Sequence, residues 1–300
     1  MSQPGRNPLY DYLLVQRALD RELARQLVDA ANEASKMVLA MAGDPAVGRA
    51  TRRAQLQILK KELHRQAEEL WPGIGSSIAG GMRSSAASAT AGTNYLNGLL
   101  LKSVGGRIKA LEDAMQEQAK HTAESLISRG ANGIPLAESV YGAQNLANKS
   151  VDKVVNQHLL LGSSAKEMAS AVKHLIDPAV KGGVSYSAMR LGRSEINNAF
   201  HTTQQRSRQD EPWTTGFLWN LSGSHPRPDE CNEYADEDHD NLGSGVFKKQ
   251  NVPAKPHPNC LCFLTPVQVS DEEFIQQFVN GDYASYIDKQ VYSSGIGTVC

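Results

Sequence analysis

The chain has 300 residues, 40% hydrophobic and 21% charged, with a formal net charge of −1. That is enough apolar content for a sizeable core, arranged as two domains rather than one. The sequence excludes a membrane-spanning helix, because no apolar run approaches the ~18 residues a span requires, and its four cysteines, one of them the last residue, are not a disulfide framework.

The near-neutral total hides an asymmetry. Residues 1–130 carry a net charge of +4, residues 131–210 carry +3 and residues 211–300 carry −8. The basic part is too weakly charged to mark a nucleic-acid-binding surface, and the acidic end argues against direct contact with DNA there. The first eight residues, M-S-Q-P-G-R-N-P, are polar and hold no targeting signal. The expectation is a soluble protein made in a cytoplasm, with its thiols reduced.

Leu9 to Met41 reads as one long amphipathic helix. Leu9, Tyr12, Leu19, Leu23, Leu27, Ala30, Ala34, Met37 and Met41 return to one face at steps of three or four. Its seam is too Ala-rich and irregular for a coiled coil, so a bundle helix is expected, stopped by Gly43-Asp44-Pro45. A second helix is predicted from about Ala46 to Trp71, with Leu56, Leu59, Leu63, Ala67 and Leu70 on its apolar face and Pro72-Gly73 as its end. Residues 74–106 form a small-residue stretch, with Gly80-Gly81, Ser84-Ser85-Ala86-Ala87-Ser88 and Gly105-Gly106. It reads as close helix packing or a connector, with partner docking as the functional alternative.

Lys102 to Arg129 is again helical and ends at Gly130. Ile134-Pro135 opens a helix running to Leu160, where Gly162 fits a C-terminal cap. Ser163 or Ser164 with Glu167 forms a capping box for the next helix, which ends near Asp177-Pro178. After a loop with Gly182-Gly183, Ser187 to Gln209 is helical.

Past Pro212 the period changes. Gly216 to Leu221, Val246 to Lys248 and Leu261 to Leu264 read as strands. Residues 271–290 read as one helix anchored by Phe274, Phe278 and Tyr286. The fold class is therefore α+β: a long, mainly helical N-terminal part followed by a small mixed module with short strands. Residues 1–135, 136–268 and 269–300 are the expected divisions.

Chemistry concentrates in that module, which holds two of the three tryptophans and three of the four cysteines. Cys231, His257, Cys260 and Cys262 supply the thiolate and imidazole donors that Zn²⁺ prefers. The spacing departs from the usual pattern, with C-x-C in place of C-x2-C, and the alternative is three thiols packed as small hydrophobes around Trp219. Seven acids between Asp229 and Asp240 allow a divalent-cation site but do not match a calcium loop. Arg193, Glu195 and Asn198 share a helix face, as a catalytic patch or as polar groups tying that helix to the sheet. Trp219, Phe217 and Phe263 are the expected module core. No P-loop, H-E-x-x-H, G-x-S-x-G or dinucleotide fingerprint is present.

The order of these pieces carries a resemblance. A helix with Leu191-Gly192-Arg193-Ser194-Glu195-Ile196-Asn197-Asn198-Ala199 precedes the Trp219 strand. The turn Ser224-His225-Pro226-Arg227-Pro228-Asp229-Glu230-Cys231 follows, and Pro256-His257-Pro258-Asn259-Cys260-Leu261-Cys262 closes the module. This arrangement resembles the phage head morphogenesis family, the minor head proteins similar to the F protein of phage Mu, over roughly residues 145–267. Ser194 stands where the family usually has Thr, Leu261 where Arg is common, and Glu233-Tyr234 where a further cysteine is often found. The resemblance implies a non-enzymatic, low-copy structural protein of a tailed bacteriophage, assembled in the host cytoplasm and residing in the virion head near the portal. It implies a role in procapsid assembly, and in genome packaging or ejection. The implied partners are the portal protein and the major capsid or scaffold protein, with phage DNA as a further candidate and no membrane. Two alternatives stand beside it: a metal-dependent hydrolase using His225, Asp229, His239 and Glu195, and a DNA-binding factor using Arg49, Arg52, Arg53, Lys60, Lys61 and Arg65.

Overall fold

The computed structural model describes residues 8–41, 49–100, 107–161, 164–177, 183–223, 225 and 228–293. The architecture is α+β. Six helices come first: α1 (Pro8–Met41), α2 (Arg49–Leu100), α3 (Arg107–Arg129), α4 (Leu136–Leu161), α5 (Ala165–Ile176) and α6 (Val184–Ser207). Strands β1 (Thr214–Asn220), β2 (Val246–Lys248) and β3 (Phe263–Gln268) follow, with α7 (Glu230–Asp236) between β1 and β2 and α8 (Asp271–Val279) and α9 (Ala284–Ser293) at the end. The expected stop at Gly43-Asp44-Pro45, the Gly105-Gly106 pair of the small-residue stretch, the caps at Gly162 and Ser163, the helix end at Pro178 and the loop residue Gly182 lie outside the described residues. Among the described residues no helix is long and apolar enough to cross a membrane.

The chain divides into two compact units whose segments interleave in sequence. One comprises Gln16–Gly81 and Ile127–Glu195; the other comprises Met1–Val15, Met82–Leu126 and Ile196–Cys300. Helices α1, α2, α3 and α6 contribute residues to both.

In the all-helical unit, α1 buries Leu19, Leu23, Leu27, Ala31, Ala34 and Val38, and α2 buries Leu59, Leu63, Trp71, Ile74 and Ile78. The seam of α1 runs through Ala31 and Val38 rather than the expected Ala30 and Met37. Pro72 does not end a helix; α2 runs through it. A proline inside a helix removes one hydrogen bond and costs about 3 kcal/mol. Here the carbonyl it would have served belongs to exposed Glu68, where water can reach it, and the apolar stripe resumes at Ile74 and Ile78. Burying those side chains outweighs the proline.

Two further features hold this unit. Asp152 of α4 accepts from Lys60 and His64 of α2, each at 2.8 Å. Gly192 of α6 lies so close to α1 that a Cβ there would come within 2.9 Å of Leu23 Cδ1 and 3.3 Å of Leu19 Cδ2. The capping box at the start of α5 is present: Ser164 N donates to Glu167 Oε2 (2.7 Å) and Glu167 N donates to Ser164 Oγ (3.3 Å).

The described part of the small-residue stretch is helix, and the packing of its residues in the second unit explains their composition. Ala86 of α2 meets Ala119 and Ala123 of α3 in one buried cluster, and Ser85 Oγ donates to Ile196 O at 2.7 Å. Small side chains let backbones approach, and the buried hydroxyl finds a carbonyl. The sheet is antiparallel in the order β2-β1-β3, with β1 central. Its register pairs Phe217 with Phe247 and Trp219 with Leu264.

The C-terminal segment is two helices rather than one. Gly281 adopts a left-handed φ of 85° after the cap at Asn280, which breaks the helix at the point where Tyr283 must turn inward. Trp213 is fully buried against Met115, Phe274, Tyr283 and Ile287, with Phe278 and Tyr286 packed around them. Rings of Phe274, Tyr283 and Tyr286 meet the indole edge to face at centroid distances of 5.6, 5.2 and 5.3 Å.

Candidate metal centre

The core over the sheet is made of Phe217, Trp219, Cys231, Phe247, Cys260, Cys262 and Leu264. Leu264 takes the inward place expected of Phe263, which is only half-buried. Strand alternation is the reason: with Cys262 inward, the next inward position on the approach to β3 is 264. The three cysteines are buried and free.

Local chemistry brings them together. Asp229 caps α7, its Oδ1 accepting from Cys231 N at 2.8 Å, while Asn232 Oδ1 accepts from Asp229 N at 3.1 Å. This reciprocal cap fixes the turn that points Cys231 inward. His257-Pro258-Asn259-Cys260 is a turn closed by Cys260 N donating to His257 O at 3.3 Å, with Asn259 at φ 59°. Proline at the second position and a left-handed asparagine at the third are what a type II turn demands. Cys260 and Cys262 then fall on one face of the extended chain, which is how C-x-C serves where C-x2-C is usual.

The donor atoms converge on Cys231. Its Sγ lies 3.5 Å from Cys260 Sγ and 3.4 Å from His257 Nε2, and Cys262 Sγ lies 3.9 Å from His225 Nδ1. Among the described residues two triads can hold a metal ion, His225 with Cys231 and Cys262, and Cys231 with His257 and Cys260, each with its donor atoms within 4.8 Å of one another. A tetrahedral ion with bonds of about 2.3 Å to sulfur and about 2.0 Å to nitrogen separates its ligands by roughly 3.5–3.8 Å. The pairs at 3.4, 3.5 and 3.9 Å bracket that edge length, and no pair within either triad exceeds 4.8 Å.

The three thiols differ in acidity. The Cys262 thiol is held below its ordinary pKa, chiefly by the hydrogen bond from Cys260, with the Ser222 backbone, Cys231 and Lys255 adding to it. Burial pushes Cys231 up, and the same Cys262 contact pushes Cys260 up. The Lys255 ammonium lies 5.2 Å from the Trp219 ring centroid and donates to the Cys262 carbonyl. Burial lowers its pKa, and the three cysteines act to raise it.

The other sequence candidates sit elsewhere. Asp229 Oδ2 is 3.2 Å from His257 Nε2 and Oδ1 is 3.4 Å from His225 Nε2, so it serves both imidazoles as well as the helix cap. Trp219 is in the core, with His201 edge-on to it at 5.6 Å. The expectation that Arg193 ties α6 to the sheet is corrected: Arg193 grips Asp20 of α1. Glu195 is half-buried and its carboxyl is raised by burial. Asn198 is half-buried on α6. His239 stacks on Phe247 at 4.8 Å and its Nε2 meets Glu233 O at 3.2 Å. Neither His239 nor Glu195 belongs to either metal-capable triad.

Three of the acids from Asp229 to Asp240 bond backbone amides, Asp229 among them. Asp240 accepts from Lys248 N (2.7 Å) and Asn251 Nδ2 (2.6 Å), and Asp238 Oδ1 accepts from Leu242 N (3.0 Å). The DNA-contact candidates divide. Lys60 pairs with Asp152, Arg65 pairs with Glu62 and Glu69, and Lys61 is exposed. The side chains of Arg49, Arg52 and Arg53 lie outside those described. His225 stands outside the zinc donors expected from sequence and only among the hydrolase candidates; its signal is a histidine six residues before Cys231.

No protein-family model, curated protein or solved structure matches this chain.

Proposed function

We propose that the chain is an assembly protein of a tailed-bacteriophage head, a minor head protein associated with the portal that acts in procapsid assembly. In this reading the C-terminal module is stapled by a zinc ion bound to the thiolates of Cys231, Cys260 and Cys262 and to an imidazole. The supporting observation is that Trp219, Cys231, Cys260 and Cys262, four of the residues on which the resemblance rests, share one core. A small sheet closed by a metal is a rigid cap suited to docking, and the donor set of sulfur and nitrogen favours zinc over calcium or magnesium. The ion's chemistry here is structural: it fixes α7 and the closing turn against β1.

Of the alternatives, DNA binding is weakened by the pairing of Lys60 and Arg65 with neighbouring carboxylates, which leaves less charge for phosphates. Quantitative mass spectrometry of procapsids and virions tests the assembly reading, alongside co-expression with the portal protein of the same phage. The expected result is co-elution with the portal and a copy number far below that of the capsid protein. Absence from both particles, with separate elution, sinks it.

A further inference from the structure

We infer that His225 is the nitrogen ligand of the metal centre, bound through Nδ1, and that His257 stays outside the coordination sphere as the partner of Asp229. The inference rests on the zinc part of the reading above and is independent of the role in head assembly.

Asn232 Oδ1 accepts the Asp229 backbone N–H at 3.1 Å, so the amide must present its oxygen at that point and cannot be turned around. The same oxygen lies 2.9 Å from His225 Nε2. Two acceptors cannot face each other, so Nε2 carries the proton and donates to Asn232. The carboxylate of Asp229, 3.4 Å from Nε2, reinforces that choice. The neutral ring then has its lone pair at Nδ1, and Nδ1 is the atom 3.9 Å from Cys262 Sγ. A metal-binding histidine usually donates its other ring N–H to a carboxylate or carbonyl, which fixes the tautomer and aims the ligand atom. His225 has that partner in place, set by the cap that also orients Cys231. Its side chain is 11% exposed.

His257 is held differently. Its Nδ1 faces Pro258 O at 3.0 Å and its Nε2 faces Asp229 Oδ2 at 3.2 Å, so both nitrogens are directed at oxygen acceptors. The nitrogen near Cys231 is already engaged by a carboxylate, and the side chain is 34% exposed. Its place is beside the sulfurs, where it anchors Asp229 and, through Asp229, the start of α7. The ligand set becomes Cys231, Cys260, Cys262 and His225, drawn from the turn before α7, from α7 itself and from the approach to β3.

The test uses the full chain with zinc alone. Competition with a chromophoric chelator gives the affinity of wild type, His225→Gln, His257→Gln and Asn232→Leu. His225→Gln is expected to weaken zinc by more than about 100-fold, since even loss of a residue that merely orients a ligand costs about 10–100-fold. Asn232→Leu falls in that 10–100-fold range, and His257→Gln stays within about tenfold. Because a variant can simply fail to fold, ring ¹⁵N NMR of wild type provides the second reading. On zinc addition the Nδ1 resonance of His225 should move while its Nε2 stays protonated. Movement of a His257 nitrogen instead, or equal loss in the two histidine variants, overturns the assignment while leaving the zinc reading intact. A wild-type chain that takes up no zinc overturns the zinc reading and this inference with it.

Discussion

Arg193 Nε lies 2.8 Å from Asp20 Oδ1 and Arg193 Nη2 lies 3.0 Å from Oδ2, a two-pronged pair between α6 and α1. The fork matches the carboxylate, and a lysine cannot reproduce it. The side chains are 35% and 26% exposed, so solvent screens the pair. Arg193→Lys and Asp20→Asn should each cost about 1 kcal/mol, read as a lower urea midpoint with unchanged slope. A double mutant no more destabilised than either single variant supports the pairing; full additivity argues against it.

Gly192, one residue earlier, is a contact position rather than a flexible one. Alanine gains up to about 1 kcal/mol in helix propensity, but its methyl would come within 2.9 Å of Leu23 Cδ1, and overpacking costs about 1–3 kcal/mol. Packing should win, so Gly192→Ala is expected to be less stable than wild type, and Leu23→Ala, at a fully buried position, should cost less in the Gly192→Ala background than in wild type. Thermal denaturation of wild type, the two single variants and the double variant decides it; a stabilised Gly192→Ala would mean that α1 and α6 are less tightly packed.

Removal of metal should loosen the sheet module. A ligand present at about 1,000 times its Kd stabilises the native state by roughly 4 kcal/mol, so a strong chelator should lower the first unfolding transition. Cys231→Ser should abolish that dependence, because Cys231 belongs to both triads. Hydrogen exchange would localise the effect, with amides of β1, β2 and α7 losing protection first. Uniform loss across α1 and α2 would place the metal somewhere else.

His201 makes stability fall on the acid side. Burial, with a smaller contribution from Lys255, lowers its pKa to about 3 from an ordinary 6.5. The native ring stays neutral while the unfolded chain binds a proton below 6.5. The contribution is therefore complete above pH 6.5 and is lost progressively as pH falls toward 3, by about 2 kcal/mol between pH 7 and pH 5. His201→Gln, whose amide can still donate to Pro253 O, should shrink the difference between the two pH values. Denaturant melts of both chains at pH 7 and pH 5 check this; equal pH losses in the two would assign the acid sensitivity to another group.

Several residues show where local information ended. The Ser164–Glu167 box was legible because serine and glutamate act on their own backbone neighbours, and the α+β class because the hydrophobic period changes past Pro212. The same reasoning failed at Pro72, where the local penalty is real but the stripe of Trp71, Ile74 and Ile78 outweighs it. It missed α7, because a run of acids reads as a solvated loop unless one knows that Asp229 caps a helix and Asp240 binds loop amides. It also took residues 271–290 as one helix, since nothing nearby says that Tyr283 must turn to reach Trp213.

The helical character of the first two-thirds of the chain, its acidic Cys/His-bearing end and the residue types available to a metal can all be read without coordinates. These follow from periodicity and from side-chain chemistry, which depend only on neighbours a few positions away. Tertiary structure alone decided that His225 joins the cysteines, that Arg193 meets Asp20 rather than the sheet, and that Leu264 rather than Phe263 faces inward. Each of these depends on which distant segments approach each other, and that is set by the burial of whole faces, which no short window of sequence contains.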